Sequence, residues 1–324
     1  MVINNYTKSQ RALHKLSLCL RPVREISFDL EKALYLKTSS TMPGGEHVFV
    51  AGLARSGTTV LLNMLFAGNQ FASLTYSDMP FILSPNLWNN FVRTPHHSVS
   101  IERAHGDGVM ISINSPEAFE EVFWNTFEKD PKVVQEFKNY VGLITLKYKR
   151  SRYLSKNNQN VRRIFRIQEA FPDAKILIPF RNPLQQANSL LTQHIRISSQ
   201  QINDKYMRNY MRWIGHSEFG IDYRPISQGN RLKYKDFNTL NHWLEQWLYS
   251  YRSLFGKYGE NKNIMFVCYE DLCRDKDGWD NLATFLDVEF DNETTLDEVK
   301  KKVEAPFDDN LLKECIEEYE LFRV

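Results

Sequence analysis

The chain has 324 residues, 42% hydrophobic and 13% aromatic, which is enough to bury a substantial core in one large domain. Its 41 basic and 39 acidic residues leave a formal net charge of only +2, which argues against a general nucleic-acid binder. No apolar run reaches the roughly 18 residues of a membrane-spanning helix, and four scattered cysteines without a CxxC pair form neither a disulfide framework nor a zinc site, so the expected compartment is the reducing cytoplasm.

In chain order, residues 8–36 of an N-terminal extension (1–45) read as helical, with Leu13, Leu16 and Leu20 on one face. Arg21, Pro22 and Arg24 interrupt the leucine-bearing start, and no small-residue cleavage site follows it. Pro43-Gly44-Gly45 then punctuates before Val48-Phe49-Val50-Ala51, a short buried strand. Gly52-Leu53-Ala54-Arg55-Ser56-Gly57-Thr58-Thr59 comes next, and Val60 to Leu65 opens a helix. Residues 74–130, divided by Pro80, Pro85, Pro95 and Pro116, read as an insertion suited to acceptor-binding loops.

From Lys147 to Arg166 eight basic residues occur without one acid, which reads as a solvated helix face from which one or two members turn to an anionic ligand. A second apolar strand, Lys175 to Phe180, ends at Arg181, and a third, Ile264 to Cys268, ends at Tyr269-Glu270-Asp271-Leu272. Between them, Trp243, Trp247, Tyr251 and Phe255 recur every four residues, the pattern of a helix packed on a sheet. Residues 287–324 form an acidic, helical C-terminal segment. Apolar strands separated by helices predict an α/β fold, one central parallel sheet flanked by helices, with ligands at the carboxyl ends of its strands.

Strand, glycine turn and helix start converge backbone N–H groups on one point, so the loop should hold a phosphate. In a nucleoside-triphosphate loop the residue after the second glycine is lysine. Here it is Thr58, and the cation is Arg55 instead. Arg181 and Ser189, eight residues apart across a turn and about two helical turns, suit a second phosphate.

The Arg-Ser-Gly-Thr-Thr core of this loop resembles the 5′-phosphosulfate loop of sulfotransferases that use 3′-phosphoadenosine 5′-phosphosulfate (PAPS). The Arg181-to-Ser189 spacing is similar to that family's 3′-phosphate motif, and Phe171 to Lys175 and Tyr269 to Leu272 look like further segments of it, scattered over residues 47–285. The resemblance implies a P-loop-like sulfotransferase fold and a sulfuryl transfer from PAPS to an acceptor hydroxyl, carbohydrate or small alcohol, without a metal. It implies that Arg55, Ser56, Gly57, Thr58, Thr59, Arg181, Ser189 and Tyr269 bind the cofactor, with Arg55 and Lys156 facing the transferred charge.

For the general base the resemblance points to Asp78, in the neighbourhood where the tyrosylprotein branch carries a glutamate. The histidine of the better-known cytosolic members has no counterpart in Lys156-Asn157-Asn158. His105, Asp107 and Glu117 stand in reserve. His96, His97, His105 and Asp107 match no compact zinc spacing. A divergent kinase or nucleotide hydrolase, or a non-catalytic adenine-nucleotide binder, would be the competing classes.

Overall fold

The computed structural model describes residues 6–36, 46–91, 101–102, 110–226, 232–274, 276–290, 296 and 298–323. The chain starts with α1 (Lys8–His14), a π-helical turn over Lys15–Cys19, and α2 (Arg21–Tyr35). β1 (Val48–Val50), α3 (Thr58–Ala67) and β2 (Phe71–Ala72) follow, then α4 (Pro85–Asn89) and a short antiparallel pair, β3 (Ile101–Glu102) with β4 (Met110–Ile111). Next come α5 (Glu121–Phe127), α6 (Val133–Tyr148), β5 (Arg152–Lys156), α7 (Ile164–Ala170) and β6 (Lys175–Phe180). α8 (Pro183–Asn203), α9 (Lys205–Trp213) and α10 (Leu240–Tyr258) lead to β7 (Ile264–Cys268), α11 (Tyr269–Arg274), α12 (Asp277–Leu286) and α13 (Asp309–Leu321).

Five strands form one parallel sheet in the order β2-β5-β1-β6-β7, the α/β arrangement expected from the sequence. Period-two alternation decides the two helical layers. Val48, Val50, Leu154, Leu177 and Val267 point to one face, where they meet Leu61, Leu62 and Leu65 of α3 and Trp279, Leu282 and Leu286 of α12. Phe49, Tyr153, Ile176, Ile178 and Phe180 point to the other, packing with α5, α6, α8 and α10.

From β1 the chain first runs outward to β2, returns as β5, and then crosses to β6 and β7 on the opposite side. β1 is therefore flanked by β5 and β6, and the crevice at its carboxyl end is the switch point at which open parallel sheets bind ligands.

Two readings change. The π-helical turn inserts extra residues into the N-terminal helix, so His14, Ser17 and Leu18 form its buried face while Leu16 and Leu20 are exposed. The basic run of residues 147–166 is no single helix face, since it crosses the end of α6, all of β5, a 3-10 turn and the start of α7. β5 escaped the sequence reading because its Arg152 and Lys156 ends mask a core of Tyr153, Leu154 and Ser155. Among the described residues, no helix is long and apolar enough to cross a membrane.

Candidate active site

The loop after β1 owes its shape to two left-handed residues, Arg55 at φ 68° and Gly57 at φ 92°. Gly57 is the N-cap of α3, and no side chain caps that helix, so its first-turn N–H groups point out at the loop mouth. A side chain at Gly57 has no room, because a Cβ would lie 2.7 Å from Cδ2 of Tyr269. Ser56 is fully buried and its hydroxyl donates to the Leu53 carbonyl at 2.7 Å, so it offers the ligand only backbone.

Arg55, Gly57, Thr58, Thr59, Arg181, Ser189 and Tyr269, predicted from three separate strand ends, line one pocket. Nε of Arg55 donates to the Ser189 hydroxyl at 3.0 Å, joining the two phosphate motifs directly. The Arg181 guanidinium lies over the Tyr269 ring, 4.8 Å from its centroid, and 3.8 Å from the Glu270 carboxylate. Burial pushes the Tyr269 phenol up to about 12, so the ring is neutral. Nε of Arg181 is occluded from solvent without a hydrogen-bond partner, 3.8 Å from Oε1 of Glu270, while the guanidinium as a whole lines the pocket.

The aromatic stripe of α10 is core, as its periodicity predicts, yet its polar tips hold this site together. Trp247 Nε1 donates to the Arg181 carbonyl at 3.2 Å and to Oε1 of Gln186 at 3.1 Å. Gln186 Nε2 donates to the Ala54 carbonyl at 3.0 Å, and the Tyr251 hydroxyl to the Pro179 carbonyl at 2.8 Å. α10 thus ties the phosphate loop to the end of β6. Sequence reasoning missed Gln186 because nothing distinguishes a buried glutamine from a surface one before the fold is known.

A second missed feature is a strap from the acidic C-terminal segment. Gln185 exchanges hydrogen bonds with the backbone of Lys301, 3.1 and 2.8 Å, and Arg181 donates to the Val299 carbonyl. Val299 and Lys301 complete the pocket wall, which encloses about 170 Å³. The local triplet Lys300-Lys301-Lys302, within an acidic segment, was the available signal.

On the other flank of β1, Lys156 ends β5 opposite Val50 and is 8% exposed, beside the loop's base. Asp78 is a different matter. It is fully buried; Oδ1 takes the Lys147 ammonium, and Oδ2 accepts from the Thr75 N–H and the Tyr148 hydroxyl, both at 2.7 Å. This geometry gives Asp78 the work of a turn cap and buried counter-ion. Glu117, by contrast, is partly exposed; Oε2 accepts from the Tyr76 hydroxyl at 2.6 Å and Oε1 from the Ala118 N–H at 2.8 Å. Its segment pairs back to the chain leaving β2, through Thr75 and Pro116. His105, Asp107, His96 and His97 lie outside the described residues, among which no group of three or more His, Cys, Asp or Glu is placed to hold a metal.

A parallel sheet with an uncapped helix start, two arginines and a serine gathered at its switch point is the α/β class of fold in which ligands bind at the strands' carboxyl ends, here with donors suited to an anion. The family model described as the Sulfotransferase family matches residues 47–222, more than half of the chain, and the chain belongs to that family. Among solved structures, sulfotransferase STF1 from Mycobacterium tuberculosis H37Rv is 13% identical, with 84% of this chain and 75% of that one covered and a TM-score of 0.49. Sulfotransferase STF9 from Mycobacterium avium is 12% identical over 97% and 78%, with a TM-score of 0.47. A sulfotransferase from Alicyclobacillus acidocaldarius is 15% identical over 86% and 92%, with a TM-score of 0.41. Among curated proteins none matches.

Proposed function

We propose that the protein moves the sulfuryl group of PAPS onto an acceptor hydroxyl, with a carbohydrate or another small alcohol as acceptor. The observation that carries this reading is the meeting, in one pocket, of the uncapped start of α3 with the side chains of Arg181 and Ser189, donors for two separate anionic groups of one ligand. PAPS has a 5′-phosphosulfate and a 3′-phosphate, and it supplies an activated sulfuryl group with a good leaving group.

The loop N–H groups from Ser56 to Thr59 would hold the 5′-phosphate, Arg181 and Ser189 the 3′-phosphate, and the Tyr269 ring would border the adenine. Arg55 reaches Ser189 and so sits between the two ends, where it would stabilise charge developing on the bridging oxygen, helped by Lys156. The acceptor oxygen bonds to sulfur as the bond from sulfur to the bridging oxygen breaks; the electron pair stays on the 5′-phosphate, and the acceptor's proton goes to a base. Among the described carboxylates near the ends of β2 and β5, Glu117 suits that role better than Asp78, because it is partly exposed whereas Asp78 is fully buried against the Lys147 ammonium.

Arg181 donates to the Val299 carbonyl of the strap, and on donor binding it would exchange that carbonyl for phosphate. Calorimetry tests the reading. PAP should bind without magnesium, and Arg181→Ala should weaken it about 10–100-fold, the loss expected for one or two charge-assisted hydrogen bonds. Tight binding of ATP with magnesium and none of PAP would overturn it in favour of a kinase or hydrolase. PAP binding with no acceptor-dependent product would leave a non-catalytic binder.

A further inference from the structure

A cavity of about 770 Å³ lies on the flank of β1 away from the nucleotide-like pocket. Its floor is the 3-10 turn Asn158–Arg162 that follows β5 directly, and Gln159 of that turn lines it. One wall is Glu121, which accepts from Asn157 Nδ2 at 2.8 Å. Asn157 is the residue after Lys156, and Lys156 pairs with Val50 just before the phosphate loop. Adjacent strands are about 5 Å apart, so this wall adjoins the carboxyl end of β5, the strand beside β1.

The electrostatics of the cavity are lopsided. Its three acids all have arginine partners: Glu121 makes a bidentate pair with Arg163 at 2.6 and 2.9 Å, Glu128 shares that arginine through its Nε at 3.2 Å, and Asp222 pairs with Arg208 at 2.8 and 2.9 Å. Lys15, Arg24, Arg212 and Arg224 line the same space with no ion-pair partner among the described residues. Nε of Arg24 is occluded from solvent and makes no hydrogen bond, and burial pushes the Arg24 pKa down. A desolvated guanidinium without an acceptor is costly unless a ligand supplies one. The remaining lining is of a different kind: the Trp213 indole with the amides of Asn125, Gln159 and Asn209, which suit a sugar face and its hydroxyls.

We propose that this cavity is the acceptor site and that the acceptor is an anionic carbohydrate, its carboxylate or existing sulfate gripped by Lys15, Arg24, Arg212 and Arg224 while a hydroxyl is presented toward Lys156. The acceptor role rests on the sulfotransferase reading; the binding of an anionic sugar does not. Glu121 and Arg163 neutralise each other and shape the wall, leaving specificity to the cations whose charge is not balanced.

The test is equilibrium binding without donor, followed by the emission of Trp213 and calibrated with Trp213→Phe. The probes are a uronate-containing oligosaccharide and its neutral, carboxyl-reduced counterpart. The uronate form should bind at least about tenfold more tightly than the neutral one, lose affinity as salt rises, and weaken at least about tenfold in Arg212→Gln/Arg224→Gln. Both arginines are exposed and unpaired, so the double variant should fold, and its PAP affinity should be unchanged. Equal binding of the two sugars, no binding of either, or an unaltered double variant would overturn the proposal. Sulfate transfer from labelled PAPS then reads the other reading separately: anionic sugar bound but never sulfated, with PAP also failing to bind, would sink the sulfotransferase function and leave the anion site standing.

Discussion

Replacing Gly57 with alanine asks the most of the site for the smallest change. The backbone there sits at φ 92°, where an L side chain costs about 1–2 kcal/mol. The new Cβ would also lie 2.7 Å from Tyr269 Cδ2, so the ring must retreat by more than half an ångström, and overpacking of this kind costs about 1–3 kcal/mol. Together these predict a loss of about 2–5 kcal/mol. The ring cannot move alone, because the Arg181 guanidinium rests on it. A misplacement approaching 1 Å at a positioning residue is worth up to about a hundredfold, so PAP should bind at least about tenfold more weakly. Chemical denaturation and calorimetry read the two effects. The double variant Gly57→Ala/Tyr269→Leu separates them, since removing the ring should recover the steric part of the stability but not the backbone part. Gly57→Ala with stability and PAP affinity both within twofold of the parent would refute this account of the loop.

Two further outcomes are expected. Glu117→Gln should fold normally, bind PAP normally and lose turnover, whereas Asp78→Asn should cost about 3 kcal/mol or more in denaturation because Lys147 is left uncompensated in the interior; a stable Asp78→Asn enzyme that binds PAP but does not turn over would return the base to Asp78. Acidification should destabilise the protein through His14, His194 and His242, whose pKa values burial holds below the usual histidine range. Below about pH 6.5 the unfolded chain takes up protons that these folded histidines refuse, so stability is retained above about pH 7 and falls as pH drops through about 6.5 towards 5.5. At His242 burial outweighs the hydrogen bond that Nδ1 donates to the Tyr234 carbonyl at 2.8 Å, a bond that by itself favours the proton. A flat melting temperature over that range, or an unchanged slope in His242→Gln, would contradict this.

The sequence by itself determined the fold class and three of the five strands, β1, β6 and β7, with the residues that their ends bring to one pocket. Three apolar strands, each ending in a polar motif, were legible because local alternation and the φ > 0 demand of Gly57 are short-range signals, and the carboxyl ends of parallel strands must come together. Strand β5 was hidden by its charged ends, and the N-terminal face was misread because a π-helical turn shifts the 3.6-residue count. Only the tertiary structure decided which charges are balanced. Asp78 and Glu117 are both acids in one irregular stretch, and it is Lys147, 69 residues away, that makes the first a buried counter-ion. Likewise two members of the basic run of residues 147–166 find their partners elsewhere, Lys147 in Asp78 and Arg163 in Glu121, and outside that run Lys15, Arg24, Arg212 and Arg224 converge from distant segments with no ion-pair partner among the described residues. Charge type is written locally in a sequence. Desolvation and pairing, which decide what a charge does, are long-range properties that exist only once the chain is packed.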